Sequence, residues 1–167
     1  LPSTVMMTVI PALVAGVKLV SVASPRAVAE IFGTARLYAG APRHGATLLE
    51  ARFPRAYLDA NRALEDIDPS LLAEPWSTPL APSRKTTQGI GLVWRVARDG
   101  SPMYRRKLAR REVEARIERC WRPYHAALDR LLDEAVERCG AAWHLNCHSM
   151  PAVGDANADD PGRERSD

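Results

Sequence analysis

The residues best equipped for chemistry lie in two short stretches. One is "HLNCHSMP", residues 144 to 151, in which two of the chain's four histidines stand with a cysteine and a serine beside a proline. The other is "FPRAYLDANR", residues 53 to 62, which gathers Arg55, Asp59, Asn61 and Arg62. A histidine at the end of a strand can ligate a metal, act as a general base, or be satisfied by backbone. All three readings stay open for His148 on residue types alone. His144, deeper in the same stretch, is expected to pack or to make a structural hydrogen bond. Successive strand residues point to opposite faces. His144, Asn146 and His148 therefore share one face, and the neighbours Cys147 and His148 do not form a nucleophilic pair.

In the second stretch the planar guanidinium fork of an arginine matches a carboxylate with two parallel hydrogen bonds, and an adjacent Asn amide adds a donor. That pattern suits an acidic substrate. A plainer reading is a surface salt-bridge cluster of these arginines with Asp59 and Glu65, worth little stability.

These stretches need elements to position them. From Arg110 to Cys139 the residues Val113, Ile117, Cys120, Trp121, Tyr124, Leu128, Leu131, Leu132, Ala135 and Val136 recur at three- and four-residue intervals, which predicts one face of a long α-helix. Gly140 is its expected C-cap, and Pro123 predicts a kink near Arg119 to Arg122. "AAWHLNCHSM" then reads as a strand over residues 143 to 148, and a helix delivering into an apolar strand is the grammar of an α/β sheet. Open α/β sheets bind ligands beyond the carboxyl ends of their strands, where His148 falls. Upstream, residues 45 to 59 read as an apolar run, a proline break and a second strand-like piece. The proline-broken segment from Asp66 to Gly89 reads as a long loop with one helical turn over Ser70 to Glu74. "GIGLVWRVA" reads as a strand and "RDGSPMY" as a turn on Asp99-Gly100.

The 167 residues suit one domain with a single core, and 46% hydrophobic with 26% charged residues is the balance of a globular protein. The net charge is +3, and all of the basic residues except Lys18, Lys85 and Lys107 are arginine. "YRRKLARREVEARIERCWR" is basic and flanked by aromatics, but Glu112, Glu114 and Glu118 alternate with its arginines as on a solvated helix face, so nucleic acid is not an expected partner. Three cysteines without a C-x-x-C spacing fit a reducing cytoplasm. Residues 1–29 carry no acid, and "VIPALVAGV" is too short to span a membrane, so no membrane association is expected.

Taken together, "FPRAYLDANR", "GIGLVWR", "MYRRKL", "CWRPYHAALDRLL" and "NCHSMP" occur in an order and spacing that resemble the N-formylglutamate amidohydrolase family over Glu30 to Asp167. Residues 1–29 then form a divergent apolar segment and residues 30–167 a partial domain of the family. The resemblance implies a three-layer α/β/α sandwich related to zinc carboxypeptidases and aspartoacylases. It also implies zinc-dependent hydrolysis of N-formyl-L-glutamate, or a similar small N-acyl amino acid, to glutamate and formate in histidine degradation. It makes His148 a zinc ligand and the Asn61-Arg62 pair, helped by Arg55, the holder of a substrate carboxylate. Tyr104 and His125 match positions to which no role is assigned, and Asn146 stands where the family usually has Asp. The family's N-terminal Pro-His-Ser-Gly ligand motif and its general-base glutamate have no counterpart here, so the chain is expected to be incomplete at both ends and to hold zinc weakly. A catalytically inactive remnant that binds acidic small molecules or a protein partner is the alternative.

Overall fold

The computed structural model describes residues 20–26, 38–97, 100–147, 153 and 162–164. The fold is α/β. Strand β1 (Val20–Arg26) lies between β2 (Thr47–Pro54) and β3 (Trp143–Asn146) in a three-stranded sheet of order β2-β1-β3. β1 and β3 run parallel, with Val20 opposite Trp143 and Ala23 opposite Asn146. Among the described residues the helices are α1 (Arg84–Thr87), α2 (Arg110–Arg116) and α3 (Arg122–Cys139), with 3-10 turns at Ala41–His44 and Pro69–Leu71.

Contacts divide the chain into two compact units, one of Leu1–Ser24, Thr34–Glu50 and Arg130–Asp167, the other of Pro25–Gly33 and Ala51–Asp129. The first has a small core in which Tyr38, Ala46 and Cys147 are buried against Leu48 and Leu145. The second has the larger core, built from Leu58, Ile67, Leu71, Leu72, Leu92, Val93, Leu108, Val113 and Ile117. Each such side chain, taken wholly out of water, contributes roughly 1.5–3 kcal/mol.

The long helix is present but divided. Between α2 and α3 the backbone widens into a π turn, Ile117–Trp121, in which the Arg122 amide reaches back five residues to the Ile117 carbonyl. Pro123 follows at once, and its missing N–H would break the regular ladder here. The expected disturbance near Arg119 to Arg122 thus takes the form of a shifted hydrogen-bond register. Gly140 closes α3 at φ +75°, with its amide 2.8 Å from the Val136 carbonyl. Val113, Ile117, Tyr124, Leu128 and Ala135 are buried as the periodicity predicts, whereas Val136 is exposed.

Two expected strands are absent. "GIGLVWRVA" is a compact coil in which Ile90 and Trp94 form one isolated antiparallel bridge. Its backbone groups go elsewhere: the Leu92 amide bonds the Asp66 carbonyl at 2.8 Å, and the Leu92 carbonyl accepts from the Asp59 amide at 2.7 Å. Leu92 and Val93, though adjacent, are both buried, which a two-faced strand does not allow. The second strand-like piece after Pro54 is likewise a turn, its Tyr57 and Leu58 amides both bonding the Pro54 carbonyl. In the proline-rich loop the 3-10 turn at Pro69–Leu71 replaces the expected turn over Ser70 to Glu74, and α1, capped by the Ser83 hydroxyl on the Thr86 amide, is an addition. The turn at Gly100 has φ +80° and is closed by Val96 pairing with Pro102; Arg98 and Asp99 lie outside the described residues. β3 ends at Asn146, and His148 also lies outside them.

Candidate functional site

The turn after β2 is organised by one carboxylate. Leu58 drops into the core and draws the next residue, Asp59, out of solvent; both are fully buried. A buried carboxylate needs partners. Asp59 accepts from Arg55 Nε at 2.8 Å and from the Asn61 amide at 3.1 Å, the second bond closing a tight Asx-type turn. Arg55 Cζ also lies 5.9 Å from the Trp94 ring centroid, so Arg55 packs the turn against the coil that carries Trp94.

Arg62 emerges from this turn between two acids. Its Nε is 3.7 Å from Asp59 Oδ2, and its Nη1 is 3.7 Å from Asp66 Oδ2. Both are ion pairs too long for hydrogen bonds. Nε is enclosed without an acceptor, while a fifth of the side chain remains exposed. The guanidinium is therefore oriented by charge with its donor capacity unspent. Its backbone is pinned from the helix: Trp121 Nε1 donates to the Arg62 carbonyl at 2.9 Å, and His125 Nε2 lies 2.9 Å from the Ala60 carbonyl. A carbonyl only accepts, so Nε2 carries the imidazole proton. The two rings stack with centroids 3.8 Å apart.

Asp66 secures the far side. Burial alone would raise its pKa, but the Thr86 hydroxyl, the Ser83 amide and hydroxyl, and the nearby Arg62 charge outweigh that and hold it below the usual carboxylate value. The Ser83 amide and hydroxyl donate at 2.7 and 3.0 Å, and the Thr86 hydroxyl donates as well. Gly91 is required beside it: a Cβ there would meet the Asp66 carbonyl at 2.7 Å and Thr86 Oγ1 at 2.8 Å. Asp68 repeats the pattern. Its pKa is pressed down, against burial, by Ser70 and by Arg95, whose Nε donates at 2.6 Å.

The sequence-level clustering of Arg55, Asp59, Asn61 and Arg62 is thus realised, with two corrections. The cluster is no surface decoration, because Asp59 has no exposure. The acid that pairs with Arg62 on the far side is the buried Asp66; Glu65, expected in that place, is exposed. Asp66 was missed because its partners Ser83 and Thr86 are separated from it by a proline-rich loop, and no local spacing advertises such contacts. On β3, His144 and Asn146 are exposed, and Cys147, just past its end, is buried. Burial raises the Cys147 thiol, although a bond from Tyr38 offsets part of this.

For a metal the described residues offer no group of three His, Cys, Asp or Glu side chains. An open cleft of about 640 Å³ lined by Glu74, Trp76, Arg110, Arg111 and Glu114 contains none of the residues above. Its Arg110 amide is spent on Glu74.

Comparison with known proteins completes the picture. Residues 6–167 match the family described as N-formylglutamate amidohydrolase. The chain is 31% identical over 117 residues to an N-formylglutamate deformylase of Pseudomonas putida, which covers 69% of this chain and 38% of the relative. It superposes on the crystal structure of an N-formylglutamate amidohydrolase from Ralstonia eutropha JMP134 with a TM-score of 0.69 and 44% identity, covering 81% of this chain and 55% of that one. The chain thus spans about half the length of the solved relative, and less of the curated one.

Proposed function

The chain belongs to the N-formylglutamate amidohydrolase family, and on that premise we propose that it serves hydrolysis of the amide of N-formyl-L-glutamate, or of a similar small N-acyl amino acid. In this reaction water adds to the formyl carbon, the C–N bond breaks, and the nitrogen leaves with a proton, giving glutamate and formate. Arg62 holds a substrate carboxylate through its free guanidinium edge, Asn61 adds a donor beside it, and Arg55 keeps the turn in place through Asp59. The single observation that supports this reading is the state of Arg62: flanked by two acids at 3.7 Å and making no hydrogen bond through its guanidinium among the described residues. An arginine hydrogen-bonded to a carboxylate would sit nearer, at about 2.7–2.9 Å.

The proposal includes a three-layer α/β/α sandwich of the carboxypeptidase and aspartoacylase type, a cytoplasmic setting and a place in histidine degradation. None of the described helices is long and apolar enough to cross a membrane. Zinc at His148 is part of the proposal too. The described residues do not assemble a ligand set for it, so no step is routed through a metal, and the general base is assigned to no residue of this chain.

Titration of N-formylglutamate into the wild-type protein and Arg62→Lys tests the clamp. Lysine keeps the charge and loses the fork, so affinity should fall roughly tenfold or more, the loss of one bond to a charged group. Equal affinities would remove the clamp.

A further inference from the structure

Arg116 is buried, with 9% of its surface exposed, and it has no carboxylate within ion-pairing distance among the described residues. A buried guanidinium with no carboxylate bonded to it is rare inside proteins because desolvation costs several kcal/mol per ion. Here the charge is sheltered by two tyrosines, with Cζ 4.3 Å from the Tyr57 ring centroid and 5.3 Å from that of Tyr104. Nη1 donates to the Tyr57 carbonyl at 3.2 Å and to Tyr104 Oη at 2.7 Å. The nearest acid one turn back, Glu112, is engaged elsewhere. Arg106 takes both its oxygens at 2.8 and 2.7 Å, and the Ala109 amide donates to it at 2.7 Å.

What remains is a set of donors without an acceptor. Tyr104 Oη accepts from Arg116, which leaves the phenolic proton free to donate. Nε and Nη2 of Arg116 make no hydrogen bond among the described residues, and neither is sealed from solvent in the way that Arg62 Nε is. A cation with two unspent guanidinium nitrogens and a neighbouring phenol O–H offers the donors that a carboxylate takes. Placement adds to this. Arg116 grips Tyr57, on the turn that ends in Arg62, and Trp121, five residues further along the same helix, grips Arg62 itself. The two arginines are thus tied to one turn and to neighbouring turns of the divided helix.

We propose that Arg116 and Tyr104 form a second carboxylate subsite, which takes the side-chain carboxylate of a dicarboxylic N-acyl amino acid while Arg62 takes the other. The inference rests on the clamp reading of Arg62 and supplies what that reading lacks, a reason for preferring an acidic amino acid over a neutral one.

The test is calorimetric titration of N-formylglutamate and its neutral isostere N-formylglutamine into wild type, Tyr104→Phe, Arg116→Lys and Arg62→Lys. Tyr104→Phe preserves the ring beside Arg116, and a thermal melt confirms folding of each variant. Tyr104→Phe is expected to weaken N-formylglutamate roughly tenfold while leaving N-formylglutamine within about twofold. Arg116→Lys should show the same selectivity, and Arg62→Lys should weaken both ligands together. Losses at Tyr104 that are equal for the two ligands, or absent for both, overturn the subsite. If Arg62→Lys still weakens both in that case, the clamp stands alone; if no variant changes either ligand, clamp and subsite fall together.

Discussion

Replacing Asp66 with Asn should be the most damaging single-atom change in the larger unit. The carboxylate is 5% exposed and receives the Ser83 amide, the Ser83 hydroxyl and the Thr86 hydroxyl, with the Arg62 guanidinium alongside. Asparagine retains one acceptor oxygen, loses the charge that faces Arg62, and turns an NH2 group toward partners of which the hydroxyls must reverse their roles and the guanidinium cannot accept at all. Bonds to a charged group are worth about 1.5–3 kcal/mol each, and a buried pair that loses one partner costs about 3–5 kcal/mol. Because the amide oxygen keeps part of the network, we expect a loss of about 3 kcal/mol at pH 7, read from urea unfolding, with Glu65→Gln as an exposed control that shifts stability by less than about 0.5 kcal/mol. The sign with pH follows from the lowered pKa of Asp66. A carboxylate that titrates lower in the folded state contributes fully above its unfolded value, near pH 4, and its contribution is lost as pH falls through the folded value. The gap between wild type and Asp66→Asn should therefore be constant from about pH 5 to 8 and narrow in more acid solution. A gap under about 1 kcal/mol at pH 7, or one that persists undiminished at the lowest pH where both proteins fold, would falsify the role of the charge.

Gly91→Ala should destabilise by roughly 1–3 kcal/mol, since its methyl would meet backbone and Thr86 well inside contact distance; an unchanged urea midpoint would show that the coil yields freely. Trp121→Phe keeps a ring over His125 but removes the indole donor to the Arg62 carbonyl, so a loss of about 1 kcal/mol is expected in the same assay, and a neutral result would mean that water replaces the bond.

What was legible in the sequence followed from short-range chemistry. The Arg55, Asp59, Asn61 and Arg62 cluster could be read because an Asp two to four residues from its partners closes a local turn. The long helix could be read because its apolar residues repeat, and its end because Gly140 permits a positive φ. Contacts made across a loop were not legible. Nothing near Asp66 announces Ser83 or Thr86, and "GIGLVWRVA" has the composition of a strand yet gives its Leu92 amide and carbonyl to Asp66 and Asp59. Arg116 was hidden by its neighbours: among alternating Arg and Glu it looks like one more solvated charge, and only the approach of Tyr57 and Tyr104 from distant positions buries it.

The pairing of β1 with β3 carries a consequence for how the chain folds. Val20 pairs with Trp143 across most of the chain, whereas Leu58, Ile67, Leu92 and Val113 find one another over far shorter separations. Loop closure over so long a span is costly in entropy, and high contact order slows folding. The larger core can therefore condense first and shorten the span that the sheet must close. During synthesis the ribosome releases β1 well before β3, so over that interval the strand at the centre of the sheet waits with one edge unpaired, a template for the wrong neighbour until its partner emerges.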